Sequence, residues 1–560
     1  MRLFPRWSFL RKPGFWAACL VLLFMLSGVV TLGNYALSWD EGLGNLFFGE
    51  RYFRYFITLN PVYLDFQNSE LGIHQRPLNL FRSAFRGPHE FPPLADTVSA
   101  GFMEVLAYRL GLLDPVDAFH LPKILLSGLL LWFLYRFAAP HLGNFAALLG
   151  ILMLGAYPRF WGDMHFNPKD IPITALFAFV LIAFWAWYER PSPGGALLVG
   201  LLGGMAMSIK ANALFLPVVV ILGIWPWQWR WPPWEKIVLH LREQWPAYLL
   251  MLAVAPGFHL LSWPYLYGDP LGRLKSYYQF IYTQGGRGGV GSWNLDPLVQ
   301  TLTTMPEAVL VLLAVGLFFA LSAIIKGKSS PFLRLLLVWL ALPVGRASLP
   351  NAVNFDGIRH FVEFLPAACL LAGYGASQLL VLLSQNKPAW RAGWQGGLVA
   401  LLLANLAIIH WHYHPYQYTY YNSMVGGLYG AHFRANFPEA TDYWAISYRH
   451  GIAWLNANAE ANAEVVVPIA GWNVRLVGPL WMRTDLSYLA ERRTAAALAG
   501  GQIVYLMFIN RKDFFTPAAN YCMDKEKPAH QILVDGVPIL QIYRLDGGDT
   551  DGVRAYLRNE

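Results

Sequence analysis

Side chains able to do chemistry fall in a few short stretches of this sequence. Trp39-Asp40-Glu41 sets two carboxylates side by side, and Asp163-Met164-His165-Phe166-Asn167-Pro168-Lys169-Asp170 holds two acids, an imidazole and an amine. Lys210 closes Ser208-Ile209-Lys210, and Arg346 and Asp356-Gly357-Ile358-Arg359-His360 add further cations. A carboxylate can take the proton from an attacking hydroxyl, while Lys, Arg or a divalent cation can steady a departing phosphate. Lys169, Lys210 and Arg359 are the candidates for that counter-charge. Arg346, Arg359 and His360 either grip a phosphate or pair with Asp356. His165 is open to contact with metal or substrate, or to an ordinary surface role. His410, His412 and His414 alternate in a metal-like way, but Trp411 and Tyr413 between them read as an interfacial belt.

Whatever holds these residues is a membrane body. Hydrophobic side chains make up 56% of the 560 residues and charged ones only 14%, with a mean hydropathy of +0.37, too apolar for an ordinary soluble protein. The 23 Trp, 28 Tyr and 36 Phe fit interfacial aromatic belts and aromatic-lined clefts. A net charge of +8 raises nucleic acid as a partner, but Lys and Arg lie in short loops between apolar runs, which excludes a nucleic-acid face. Cys19, Cys369 and Cys522 make no disulfide framework.

Apolar runs occur at about 15–32, 94–112, 120–138, 144–158, 171–188, 194–209, 211–229, 246–264, 306–325, 332–349, 361–383 and 396–411. The first follows Arg2, Arg6, Arg11 and Lys12 with no small-residue cleavage site, and reads as a retained helix. Twelve crossings would put Lys326-Gly327-Lys328 outside, against the positive-inside bias. The run 94–112 carries Asp96, Glu104 and Arg109 after Phe91-Pro92-Pro93, so it is expected to lie on the outer surface. About eleven crossings remain, with the N-terminus inside and a long outer loop over 33–119. The residues after 412 form a small extracytoplasmic α/β domain. There, helical patterns at 448–459 and 485–499 alternate with strand-like 465–469 and 503–509, and Asp535-Gly536 reads as a two-residue hairpin turn.

This parity puts every unusual polar stretch on the outer side. A secondary transporter is expected to bury ionisable groups near the bilayer midplane. Charges at headgroup level instead suit a lipid-phosphate donor meeting a water-side acceptor.

In its order of features the chain resembles the GT-C glycosyltransferases, in particular family 39, the protein O-mannosyltransferase and aminoarabinose transferase group, in a bacterial branch. The pieces that carry the likeness are Trp39-Asp40-Glu41 after the first helix, Glu90-Phe91-Pro92-Pro93-Leu94 opening a surface helix, Asp170 in the second outer loop, and Ser208-Ile209-Lys210 closing a helix. His414-Pro415-Tyr416-Gln417, Tyr420-Tyr421-Asn422, Gly426-Gly427 and Asp442-Tyr443-Trp444 extend it, so that it covers roughly 10–460.

The resemblance implies a polytopic helical fold and an inverting transferase that uses a polyprenyl-phosphate sugar. Asp40 would be the base, Glu41 its neighbour or a metal contact, and Asp170 the second acid, with Asp163 its rival. A divalent cation (Mg, Mn or Zn) is implied as an option, with Glu41, Glu90 and His259 as its ligands by family analogy. Phe91 stands where some relatives carry a basic residue before the two prolines, which moves weight to Lys169 and Lys210. The expectation is therefore a multi-pass enzyme of the inner (plasma) membrane, 1–412 catalytic and 413–560 extracytoplasmic. It would take a lipid-linked sugar, contact membrane lipids and serve a lipid, glycan or protein acceptor. The alternative is a transporter or flippase whose outer cleft binds without reacting.

Overall fold

The computed structural model describes residues 12–65, 91–223, 234–288, 291–328, 330–352, 354–385 and 387–557. Within these, the chain forms two compact units. The first draws on Met1–Val30, Glu90–Ala95 and Leu121–His412, the second on Thr31–His89, Asp96–His120 and Tyr413–Glu560.

The first unit is helical because its uncharged runs can satisfy backbone hydrogen bonds only internally once water is excluded. By length and composition, seven described helices can cross a membrane: Pro13–Val30, Pro115–Leu142, Asp170–Glu189, Val238–Ser262, Glu307–Ile325, Val362–Ser384 and Pro388–Tyr413. Asn144–Gly155 and Pro158–Phe166, bent by 58°, make an eighth if taken together. Pro193–Met207 and Ala211–Gly223 are apolar but shorter, as is Pro331–Ala347 at 17 residues. Helix starts are written locally: Pro193 and Pro331 occupy the first turn, and the hydroxyls of Ser192 and Ser330 accept from the N–H of Gly195 and Leu333. Between spans, small residues let backbones touch. A Cβ on Gly316 would overlap the Leu371 carbonyl, and one on Gly375 the Leu312 carbonyl, so Glu307–Ile325 and Leu365–Ser384 pack at close range.

The second unit joins residues that follow the first apolar helix to the C-terminal residues. Its sheet has strands β1 (Glu464–Val466), β2 (Ser487–Tyr488), β3 (Val504–Ile509), β4 (His530–Val534) and β5 (Val537–Leu545), in the order β2-β1-β3-β5-β4. β1 runs parallel to β2 and β3, whereas β5 is antiparallel to both β3 and β4. Every residue of β3 is buried, which makes it the spine of this core. The β4–β5 turn carries Asp535 at φ 50° and Gly536 at φ 76°, the left-handed pair that a two-residue hairpin needs. The helix expected over 485–499 is confined to Thr494–Ala499 after a short turn, because Leu489 N–H pairs with Val465 C=O (2.8 Å) and draws the preceding residues into the sheet. Gly471–Trp481 is a further helix that sequence reasoning did not anticipate.

The run 94–112 is helical as Leu94–Phe102 and a wider turn over Met103–Arg109, and it is not among the helices suited to cross. Its charges are engaged laterally. Asp96 accepts from Asn45 Nδ2 (3.1 Å), and Glu104 lies between Arg54 (2.7 Å) and Arg109 (2.9 Å).

Candidate active site

In the first unit two of the three predicted cations, Lys210 and Arg359, converge on one acid. Asp170 is the first residue of Asp170–Glu189 and is fully buried. Lys210, in the break between Pro193–Met207 and Ala211–Phe215, donates to its Oδ1 at 2.5 Å. Arg359 Nε donates to its Oδ2 at 3.2 Å, and Arg359 Nη1 lies 3.4 Å from Asp356. Asp356 sits at φ 57°, a left-handed turn that starts the short helix Gly357–His360. Of the two alternatives for Arg359, pairing with Asp356 is therefore present, with Asp170 as a second partner.

Around this pair the neighbours are tied down. Lys169 Nζ donates to Pro92 C=O at 2.6 Å, and Leu94 N–H donates to Ser208 C=O at 3.2 Å, so the Pro92-Pro93 stretch is strapped to both the second loop and the Lys210 turn. Arg346 Nη2 donates to the His360 carbonyl at 2.6 Å and its guanidinium stacks 5.0 Å over Phe215. His360 Nδ1 lies 3.5 Å from Lys210 Nζ. Burial, and then the charges of Lys210, Arg359 and Arg346, hold the His360 imidazole well below its usual pKa. Asn212 reaches both the His360 carbonyl (2.9 Å) and the Glu363 carboxylate.

Two further second-loop residues are buried. Asp163 is buried; Oδ2 accepts from Asn167 Nδ2 at 3.3 Å, and Oδ1 has no hydrogen-bond partner among the described residues. His165 is wholly buried, with Nδ1 2.8 Å from Trp161 C=O and Nε2 3.2 Å from Gly28 C=O, so its ring pins one helix to another.

In the second unit Asp40 is half-buried on a backbone that is fixed on both sides. Trp39 N–H donates to Trp444 C=O (2.8 Å), and the Trp39 ring meets Trp472 and Phe514 edge-on with Arg511 4.7 Å above it. On the other side Glu41 is fully buried, its Oε2 accepting from Ser38 N–H and facing His120 Nε2, both at 2.9 Å. A Cβ on Gly42 would overlap Asn473 Oδ1, and Asn473 Nδ2 donates to Leu37 C=O at 2.9 Å. Asp442, prominent in sequence, fixes the turn ahead of Tyr448–Asn458 by accepting from Ile446 and Ser447 N–H (3.1 and 2.7 Å). Gly426-Gly427 makes a left-handed turn whose following N–H, on Leu428, donates to Asp535 at 2.9 Å.

Glu90 lies outside the described residues, Glu41 is occupied as above, and His259 Nδ1 lies 3.2 Å from the Ser208 hydroxyl. No group of three or more His, Cys, Asp or Glu converges among the described residues. Sequence reasoning missed Asn167, Asn212 and His120; only Asn167, in front of Pro168, carried a local signal, and that signal was for a turn.

Residues 92–263 match the model of the dolichyl-phosphate-mannose-protein mannosyltransferase family. No curated protein matches the chain in sequence. Among solved structures, ArnT from Cupriavidus metallidurans bound to undecaprenyl phosphate is similar at 14% identity over 94% of this chain and 98% of that one, with a TM-score of 0.49. The archaeal oligosaccharyltransferase AglB from Archaeoglobus fulgidus, in complex with an inhibitory peptide and a dolichol-phosphate, is 12% identical over 88% and 69% of the two chains, with a TM-score of 0.49. Arabinofuranosyltransferase AftD from Mycobacteria is 14% identical over 95% and 40%, with a TM-score of 0.42.

Proposed function

We propose that this chain, a multi-pass GT-C-type glycosyltransferase, moves a sugar from a polyprenyl-phosphate donor to an acceptor at the extracytoplasmic face, with inversion and with Asp40 as general base. The observation that carries this is the convergence of Lys210 and Arg359 on a single buried carboxylate, Asp170, at the start of a membrane span. A carboxylate whose two oxygens are both engaged by cations is a poor proton acceptor. Asp170 therefore acts by holding Lys210 and Arg359 in place, and these two meet the phosphate as it departs.

Asp40 has the opposite character, partly open on a tightly fixed backbone. It takes the proton of the acceptor hydroxyl, the acceptor oxygen bonds to the anomeric carbon from the face opposite the phosphate, and the bond from that carbon to the phosphate oxygen breaks. Polyprenyl phosphate leaves as the anion. Lys169, held on the Pro92 carbonyl, serves chiefly to shape the site. In this reading the N-terminus is cytoplasmic and residues 413–560 are extracytoplasmic.

The test is sugar transfer by the purified protein from a panel of radiolabelled polyprenyl-phosphate sugars, following release of free polyprenyl phosphate. Near-normal release by Asp40→Asn at matched expression removes Asp40 as base. No acceptor-dependent release from any donor favours the transporter reading. Cysteines at Lys275 and Lys328 report the orientation, the first expected to label from outside and the second from inside.

A further inference from the structure

We propose that Asn167 is the positioning residue of the anion site, the group that turns the Asp170 carboxylate so that one oxygen faces Lys210 and the other faces Arg359. The inference rests on the phosphate role given above to those two cations. Asn167 is fully buried between Pro158–Phe166 and Asp170–Glu189. Its Oδ1 accepts from two backbone donors, Lys169 N–H at 3.2 Å and Asp170 N–H at 2.9 Å. Because two N–H groups point at that atom, it is the oxygen, and the amide has a single sensible orientation.

Its Nδ2 is thereby aimed at the acids, donating one hydrogen to Asp170 Oδ2 at 2.9 Å and the other to Asp163 Oδ2 at 3.3 Å. The amide is saturated, with two bonds accepted and two donated. The bond to Oδ2 fixes the rotation of the Asp170 carboxylate: Oδ2 is shared by Asn167 and Arg359, and Oδ1 is left to Lys210. Asp163, through the second hydrogen, keeps the amide from turning. Only an amide meets both demands at this position. Aspartate could accept from the two N–H groups but would set a third carboxylate against Asp163 and Asp170, and a hydroxyl could close the turn without reaching both acids.

The experiment measures binding of polyprenyl phosphate to the full-length protein in lipid nanodiscs, with phosphate-free polyprenol as control. Asn167→Asp keeps the accepted bonds and removes the donated ones. It is expected to weaken polyprenyl phosphate binding about tenfold, the scale of one charge-assisted hydrogen bond, and to leave polyprenol binding unchanged. Asn167→Ser closes the same turn and serves the same comparison if the aspartate variant folds poorly. Adding Lys210→Ala to Asn167→Asp should cost less than the sum of the two single losses, because both act through one carboxylate. Wild-type binding by Asn167→Asp and Asn167→Ser, while Lys210→Ala and Arg359→Ala lose it, would overturn the role of Asn167 alone. Wild-type binding by Lys210→Ala and Arg359→Ala as well overturns the phosphate site itself.

Discussion

Lys210 Nζ lies 2.5 Å from Asp170 Oδ1, and the acid of this pair has no exposed surface. Removing one member of such a pair strands its partner in a poorly solvated place. Asp170→Ala should therefore destabilise the protein by about 3–5 kcal/mol, read as a lowered unfolding temperature in detergent. Asp170→Ala combined with Lys210→Met should regain part of that loss, since one of the two cations left by the acid is gone while Arg359 remains.

Asp40 and Glu41 are neighbours with different environments, and they should separate experimentally. Asp40→Asn is expected to lower transfer by about 10²–10⁴-fold, the usual contribution of a positioned base, with little change in unfolding temperature. Glu41→Ala strips Ser38 N–H and His120 of their buried acceptor, a loss of about 1–3 kcal/mol in stability. Equal effects of the two substitutions on both readouts would contradict this division.

Gly42 lies where any side chain would meet Asn473. Gly42→Ala should cost about 1–3 kcal/mol through overpacking, measured by thermal unfolding. Asn473→Ala in that background should restore the part due to overlap, though not the bond from Asn473 to the Leu37 carbonyl.

Glu50 gives the second unit a dependence on pH. Burial pushes its carboxyl up from 4.5 to about 8, with Arg54 lowering it and Glu104 raising it. Between those two values the unfolded chain has lost the proton that the folded chain keeps. Stability is therefore greatest below about pH 4.5 for this group, falls as pH rises toward 8, and is flat beyond. Unfolding temperatures from pH 5 to 9 should show that decline, and Glu50→Gln should flatten it.

What could be read in advance was local. The hairpin at Asp535-Gly536 depends on two residues that accept left-handed φ angles, and the spans depend on runs of uncharged residues; both are written in consecutive positions. That 94–112 is not among the helices suited to cross was legible too, because Asp96, Glu104 and Arg109 need polar company that lipid does not supply. Less legible was anything set by pairing across the chain. Nothing near Glu41 in sequence names His120 as its partner, and nothing near Gly42 names Asn473. The helix Gly471–Trp481 was obscured by Gly471, Gly478 and Pro479, residues that ordinarily interrupt helices. Lys210 and Arg359 stood out as cations on the side that orientation disfavours, whereas Asn167, which bonds to their shared acid, read only as a turn residue.

The second unit is assembled from Thr31–His89 and Asp96–His120 and from residues after 412, with Trp39 bonded to Trp444, Leu37 to Asn473 and Asp117 to Arg449. The chain is made from its N-terminus, so the loop bearing Asp40 emerges long before the residues that fix its backbone exist. During biosynthesis the first loop must wait while more than half of the protein is synthesised and inserted. Under the proposed role of Asp40, that residue acquires its final setting only when the residues after 412 have been made, so completion of the polypeptide becomes a condition for activity.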